Sequence, residues 1–485
     1  MMKKNNIIKK IIPIILILII AFLFTMNCSN TLWYKGADLV DSSVFKYIGR
    51  LILEGGMPYR DVFDHKGPLI YIINALGIMI STYRGIYVIE FINIFLTFFF
   101  IFKIANLKCN EFKSIIVLLI TSSLLFTFFQ GGNLTEEYAL PFISVSLYIF
   151  LDYFFNDKIT NLRLIACGLS FGTVCLLRIN MISLWLIMCI AVLFFLVTSK
   201  NTEKLVRFIL YFLLGCSIIV VPFMIWLILN GAFEHFIHDY FTFNFLYTKY
   251  TADIASSALK EQAFTTFLSY PLVITSIMII SYKIYKEKSR FDVFYLSYII
   301  ATIILISIAG RTYPHYGMIL IPTLVYPYSY LLCELSKRKE EMISLVVIVY
   351  LLVTYSFTPY IKSIDKAYLD YSNRKNVYID EDVLKIRDII KSNSDKNDKI
   401  LVSNYENNLY NLSNRFAASK YAFQPEELFA ERFDEFLDEI EQNKPKLIIL
   451  NKKYYTELMN IIDANYKLIW TNSNKTYKVY ERIDS

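Results

Sequence analysis

The sequence predicts a mainly α-helical, polytopic membrane protein of about eleven spans, with a small extracytoplasmic α/β domain at its carboxyl end. Three observations predict it. Hydrophobic residues fill 56% of the 485 positions and mean hydropathy is +0.45, gathered in repeated apolar runs of spanning length that soluble domains do not carry. Lys and Arg concentrate in every second connector between those runs. From about residue 375 the apolar runs stop, and strand-like segments alternate with helix-like ones.

Taken in order, Lys3, Lys4, Lys9 and Lys10 precede the apolar run Ile11 to Met26. No small-residue cleavage site follows, and Thr25-Met26-Asn27-Cys28 is a poor lipobox, so the run is expected to be an uncleaved first span with its amino terminus inside. Further spans are expected at about 86–105, 114–130, 138–155, 163–180, 182–198, 206–229, 264–282, 291–309, 316–334 and 342–360. The basic connectors carry Lys103/Lys108/Lys113, Lys158/Arg163, Lys200/Lys204/Arg207, Lys283/Lys286/Lys288/Arg290 and Lys337/Arg338/Lys339. The alternate connectors, around 131–137, 180 and 310–315, are nearly free of Lys and Arg, which sets them outside. Gly67 to Thr82 is apolar but short for a crossing, and counting it as a span would invert every later loop. It is expected to be an interfacial or re-entrant helix on the outer side.

The tail is expected to form a helix at Glu381–Ser392, a strand at 399–404, a helix near Glu426–Glu441 and a strand at 446–450. A helix near Tyr454–Ala464 and a terminal hairpin follow. The chain thus divides into a transmembrane domain at 1–360 with its first outer loop at 28–85, a linker at 361–374 and an α/β domain at 375–485. A net charge of +7 without a basic-aromatic pattern argues against nucleic acid as a partner and leaves membrane lipid. The seven cysteines are scattered singly and no CxxC or Cys/His spacing occurs, so neither a disulfide framework nor a zinc site is expected.

One polar stretch breaks this apolar chain, WYKGADLVDSSVFKYIGRLILEGGMPYRDVFDHKGP at Trp33 to Pro68. Val44, Ile48, Leu51 and Ile52 are at helical spacing, so Asp41 to Leu53 is expected to be an amphipathic helix on the membrane surface with Asp41 as its N-cap. Gly55, Gly56 and Pro58 then turn the chain into a charged loop. Ionisable groups gathered beside a membrane mark a functional site.

The pattern D-x-x-x-[FY] at Asp41–Phe45 followed by G-x-P-Y-x-D-x-F-D-x-K-G-P-L at Gly56–Leu69 resembles the GT-C membrane glycosyltransferases, in particular the branch of protein O-mannosyltransferases and lipid A aminoarabinose transferases. The resemblance covers roughly residues 10–330. It extends to Thr135-Glu136-Glu137-Tyr138-Ala139-Leu140-Pro141 and to Gly310-Arg311-Thr312-Tyr313-Pro314-His315-Tyr316, with Ser42 where many relatives carry Glu. It implies that the first outer loop carries the catalytic carboxylate and that Lys66 binds the donor's phosphate. It also implies transfer of a hexosyl or pentosyl group from a polyprenyl-phosphate-linked donor to a glycan, lipid or protein acceptor of the cell envelope. No dedicated ligand set is present, so no metal site is assigned and dependence on a divalent cation is left open.

For such a transfer one carboxylate takes the acceptor's proton and cations stabilise the departing phosphate. Asp41 suits the first role, with Asp38 and Glu137 as further catalytic candidates. The substrate-binding candidates are Lys66, His65, Tyr59, Glu136, Arg178, Arg311, His315 and Tyr316. Each has a plainer alternative: Asp41 as a cap, Lys66 as a snorkelling side chain, and Glu136 and Glu137 as partners of a helix dipole at Tyr138. His235, His238 and Asp239 have metal-like spacing but are expected to lie in a solvated loop or substrate lid. A transporter or flippase of lipid-linked sugars is the alternative function; it would more often show internal repeats and broken spans in matching halves, which are not visible here.

Overall fold

The structure is a computed structural model that describes residues 2–30, 40–82, 84–246, 257–308, 310–334, 350, 358–372, 379–403, 406, 408–422, 432–451 and 456–483. Two compact units emerge. One comprises Met1–Thr31, Tyr87–Ile225 and Thr248–Asn373; the other comprises Leu32–Ile86, Trp226–Tyr247 and Arg374–Ser485.

The first unit is a bundle of apolar helices, and the chain is a multi-pass membrane protein. Helices stand at each expected span from the first to 316–334, while 342–360 lies almost wholly outside the described residues. Among the described residues, Gly85–Ala105, Glu111–Phe128, Thr135–Asn156, Thr202–Leu229, Arg290–Ser307 and Pro314–Cys333 are each long and apolar enough to cross a bilayer. Ile11–Thr25, Asn161–Leu177 and Ser183–Thr198 are shorter. The expected span at 264–282 is instead a pair, Ala258–Leu268 and Pro271–Glu287, bent by 77°. Pro271 explains the break, because it cannot continue a preceding helix and favours the first position of the next.

Small residues let two of these helices meet at backbone distance. A Cβ on Gly168 would fall 1.9 Å from the Phe212 carbonyl oxygen, and one on Gly215 would fall 2.1 Å from that of Ile165. One expectation fails outright: Cys109 and Cys333, 224 residues apart, form a disulfide with a Cα–Cα distance of 5.7 Å. One cysteine lies in the turn before Glu111–Ser123 and the other in helix Ile321–Glu334, so no local spacing links them and only the packing pairs them.

The second unit joins the charged loop to the α/β tail. The tail's mixed sheet has five strands, β1 (Lys399–Val402), β2 (Phe416–Ala417), β3 (Leu447–Leu450), β4 (Tyr466–Thr471) and β5 (Lys478–Arg482), in the order β2-β1-β3-β5-β4. β1 pairs in parallel with β2 and β3, and the β4–β5 hairpin closes antiparallel on β3. β3 is buried at every position, as a strand covered on both faces should be. Helices Phe433–Asn443 and Thr456–Asn465 pack on the sheet through Phe436, Ile440, Leu458 and Ile462, while Glu381–Asn393 lies beside Asn408–Ser413, a helix the sequence did not announce.

Helix Val40–Leu53 forms as its apolar spacing requires, but protein rather than lipid covers it. The Tyr47 hydroxyl accepts from the Ala417 amide at 3.0 Å, Arg50 Nη1 donates to Asn414 Oδ1 at 2.6 Å, and Asn411 Nδ2 donates to the Ser43 carbonyl at 2.8 Å. Its neighbour Leu69–Ile80 has 12 residues, about 18 Å of helix, too short to cross. Gly49 permits their contact, since a Cβ there would lie 2.7 Å from the Ala75 nitrogen.

Candidate functional site

The sequence-derived candidates fall into two groups, one in each unit. Asp41, Tyr59, His65 and Lys66 belong to the second unit, and Glu136, Glu137, Arg178, Arg311, His315 and Tyr316 to the first. Asp38 lies outside the described residues.

In the second unit the helix starts at Val40, which puts Asp41 in its first turn rather than at the cap. A carboxylate there still gains from the helix dipole. Gly55, at φ +90°, releases the chain from the helix. Tyr59 is held at φ 68°, a left-handed conformation that costs a non-glycine residue about 1–3 kcal/mol. Its phenol is buried and donates to the Lys66 carbonyl at 2.7 Å, while its amide donates to the Val62 carbonyl at 2.8 Å. The strained residue thereby fixes the backbone that carries the lysine.

Two acids of this loop are pushed in opposite directions. Hydrogen bonds from Arg60 hold the Asp61 carboxyl below its ordinary value, despite partial burial. Burial pushes the Asp64 carboxyl up, against the pull of the Lys66 ammonium and the Tyr71 hydroxyl, which donates at 2.8 Å. Asp64 also feels the Asp41 carboxylate as a repulsion, so Asp41, Asp64 and Lys66 share one electrostatic neighbourhood. The Lys66 ammonium is half-buried and sits 2.8 Å from His65 Nε2, which can accept from it only as neutral imidazole.

The segment 230–244 clamps this loop. Arg60 Nη1 donates to the Asn230 carbonyl at 2.8 Å, Tyr59 meets Phe236 edge-on, and Asn244 Nδ2 donates to the His65 carbonyl at 2.8 Å. His65 stacks on Phe243, with centroids 5.4 Å apart. The expected loop around His235, His238 and Asp239 is instead helical, with Phe233–Phe236 running into a π-helical turn at Ile237–Thr242. His238 Nδ1 lies 2.9 Å from Asp239 Oδ1 and from Arg432 Nη2, so a guanidinium supplies the cation that the spacing suggested.

In the first unit, Thr135–Asn156 begins just before Glu136 and Glu137, so both occupy its first turn. Gln130, Gly131, Gly132 and Asn133 lead into it, all with φ between 47° and 87°. The Asn133 amide donates to Glu137 Oε2 at 2.8 Å. Glu136 accepts from Thr135 Oγ1 at 2.8 Å and is ion-paired with Arg178, whose guanidinium also lies 4.3 Å from the centre of the Tyr316 ring. His315 Nδ1 is 2.7 Å from Gln130 Oε1, and Arg311 is half-buried.

Glu90 was missed by sequence reasoning. It is wholly buried within Gly85–Ala105, beside Cys28. A Cβ on Gly132 would strike Glu90 Oε1 at 2.2 Å and approach Glu137 Oε2 at 3.1 Å, so both carboxylates converge on that glycine. A single acid inside an apolar span was the available signal.

The sequence matches the N-terminal domain of the Ccs4 family of competence-induced proteins over residues 2–355 and its C-terminal domain over residues 381–482. The chain therefore belongs to that family. No curated protein matches it. Its fold is similar to that of ArnT from Cupriavidus metallidurans bound to undecaprenyl phosphate, with TM-score 0.57 and 12% identity over 98% of each chain. It is also similar to the Archaeoglobus fulgidus oligosaccharyltransferase in complex with Zn and sulfate, with TM-score 0.56 and 13% identity over 96% of this chain and 73% of that one. The same enzyme, AglB, with an inhibitory peptide and a dolichol-phosphate gives TM-score 0.54 and 12% identity over 97% and 74%. At these identities the likeness is one of fold. Among the described residues no group of three or more His, Cys, Asp and Glu is arranged to hold a metal ion.

Proposed function

We propose that this Ccs4-family protein is a GT-C glycosyltransferase of the family 39-like branch. It moves a hexosyl or pentosyl group from a polyprenyl-phosphate-linked donor to a cell-envelope acceptor at the outer face of the membrane. The observation that carries this reading is the geometry around Lys66, whose ammonium lies 2.8 Å from His65 Nε2 and whose carbonyl is held by buried Tyr59, in the same unit as Asp41. It puts a candidate base and a candidate phosphate ligand in one loop. The fold shared with ArnT bound to undecaprenyl phosphate, and with AglB bound to a dolichol-phosphate, supports an isoprenoid phosphate as the donor's carrier.

In this mechanism Asp41 accepts the proton of the acceptor hydroxyl as its oxygen forms a bond to the anomeric carbon. The bond from that carbon to the phosphate oxygen breaks, and Lys66 neutralises the charge left on the phosphate. His65, with Nε2 2.8 Å from the Lys66 ammonium, keeps that ammonium positioned. Arg311, His315 and Tyr316 are assigned to substrate binding in the other unit. Arg178 and Glu136 serve each other there, and Glu137 is the reserve catalytic acid.

Membranes lacking the protein should accumulate one lipid-linked sugar, which identifies the donor. With that donor in nanodiscs, Asp41→Asn should bind normally and lose turnover by about a hundredfold. Lys66→Ala should lose binding of undecaprenyl phosphate as well as turnover. Near-normal turnover in Asp41→Asn would remove this loop as the catalytic centre and move the search to Glu136 and Glu137. The orientation, with the amino terminus inside and the tail outside, rests on the charge pattern. A cysteine at exposed Thr312 should label from outside and one at exposed Asp157 should not; the reverse result inverts the topology.

A further inference from the structure

Phe243, whose ring stacks on His65, also lines a cavity of about 290 Å³ within the second unit. One wall comes from the helical segment with His235, His238 and Asp239, and the other from the tail with Lys420, Tyr421, Arg432 and Glu435. The two cations and two carboxylates that line the cavity are matched across its walls. Lys420 Nζ is 2.5 Å from Glu435, which also accepts from the Tyr421 hydroxyl, and Arg432 is 3.3 Å from Asp239. The Arg432 guanidinium additionally lies over the rings of Phe63, at 4.5 Å, and Phe243, at 5.4 Å.

A cavity with paired charges has little net field to draw an ion. It does offer carboxylate acceptors, guanidinium and ammonium donors, and imidazoles set among aromatic rings. Each hydroxyl of a sugar both donates and accepts, which a cavity edged by paired carboxylates, cations and imidazoles can match. The volume lies at the small end of ligand sites. We infer that this cavity is a saccharide subsite that takes a neutral sugar ring of the acceptor glycan. Naming the acceptor as its occupant rests on the transferase reading; the affinity for saccharide does not. The donor's phosphate is excluded by the matched charges and left to Lys66.

The test uses the full chain in nanodiscs, titrated by calorimetry and saturation-transfer NMR. The probes are N,N′-diacetylchitobiose, cellobiose, a uronic-acid disaccharide and inorganic phosphate. At least one neutral disaccharide should bind, and more tightly than the uronic-acid disaccharide or phosphate. Glu435→Gln and His238→Ala, both at side chains at least half exposed, should weaken that binding tenfold or more. Both variants should bind undecaprenyl phosphate within twofold of the parent. Failure of every probe to bind, preference for either anion, or binding indifferent to both substitutions would overturn the inference. If the parent binds disaccharide in a variant-sensitive way but not undecaprenyl phosphate, the subsite stands and the transferase reading falls.

Discussion

Arg178 in the helical unit and Lys66 in the loop-and-tail unit are both cations in largely buried surroundings, but they are held in different ways. The guanidinium of Arg178 has a carboxylate in Glu136 and the face of Tyr316, so its charge is balanced where it stands. The ammonium of Lys66 rests 2.8 Å from His65 Nε2 rather than on a carboxylate, with the nearby acid Asp64 pushed by burial toward its uncharged form. The first arrangement suits a cation that supports structure. The second suits one that waits for an anion to arrive.

The comparison breaks or sharpens on paired substitutions. Arg178→Ala leaves Glu136 buried without its partner and should cost about 3–5 kcal/mol of stability. Lys66→Ala should cost about 1 kcal/mol or less, the net worth of one hydrogen bond, while lowering undecaprenyl phosphate binding tenfold or more. Thermal unfolding and lipid binding in nanodiscs read both, and equal stability losses would erase the distinction.

Backbone contacts give the next largest effect. Gly168→Ala in the bundle and Gly49→Ala in the loop unit each force a Cβ against main chain, at 1.9 Å and 2.7 Å. Overpacking of this kind costs about 1–3 kcal/mol, with Gly168 the more severe because a carbonyl oxygen faces it at the shorter distance. Denaturation midpoints in the reverse order would mean that the bundle yields more readily than the loop unit.

The smallest effect is pH dependence within the loop. The folded protein raises the Asp64 pKa, so this residue's contribution to stability is complete below the ordinary Asp range and is lost as pH rises through the folded value. Asp61, lowered by Arg60, contributes in the opposite sense: its share is present above the ordinary Asp range and fades as pH falls. Asp64→Asn should remove a gain in stability on mild acidification, and Asp61→Asn should remove a loss. Unfolding followed from pH 7 down to about 2, through and below the ordinary Asp range, checks both signs.

The helices were legible because apolar runs and alternating basic connectors state them directly. In the tail, KILV and LIIL announced their strands, while Phe416–Ala417 did not, since a two-residue strand has no period to detect. Spacing showed that Val40–Leu53 has an apolar face but not what covers it. In the candidate site, the cation and acids of the loop could be read from one contiguous motif. Glu90, the Cys109–Cys333 pair and the Arg432–Asp239 contact join residues remote in sequence, and only three-dimensional packing brings them together.

Phe63 has a consequence for how this protein is inherited. It stands three residues before Lys66, yet it is 1% exposed and packs in the same apolar cluster as Leu401, Ile448 and Phe436, with its amide donating to the Lys420 carbonyl at 2.8 Å. A residue from the loop has become part of the tail's interior. Family boundaries at 355 and 381 divide the chain by sequence, but a cut there strands Phe63 from its core. Recombination that exchanged the tail alone would fit a foreign core around this ring and shift the segment bearing Lys66. Descendants that keep the loop working therefore have to receive the tail with it, or change position 63 to match.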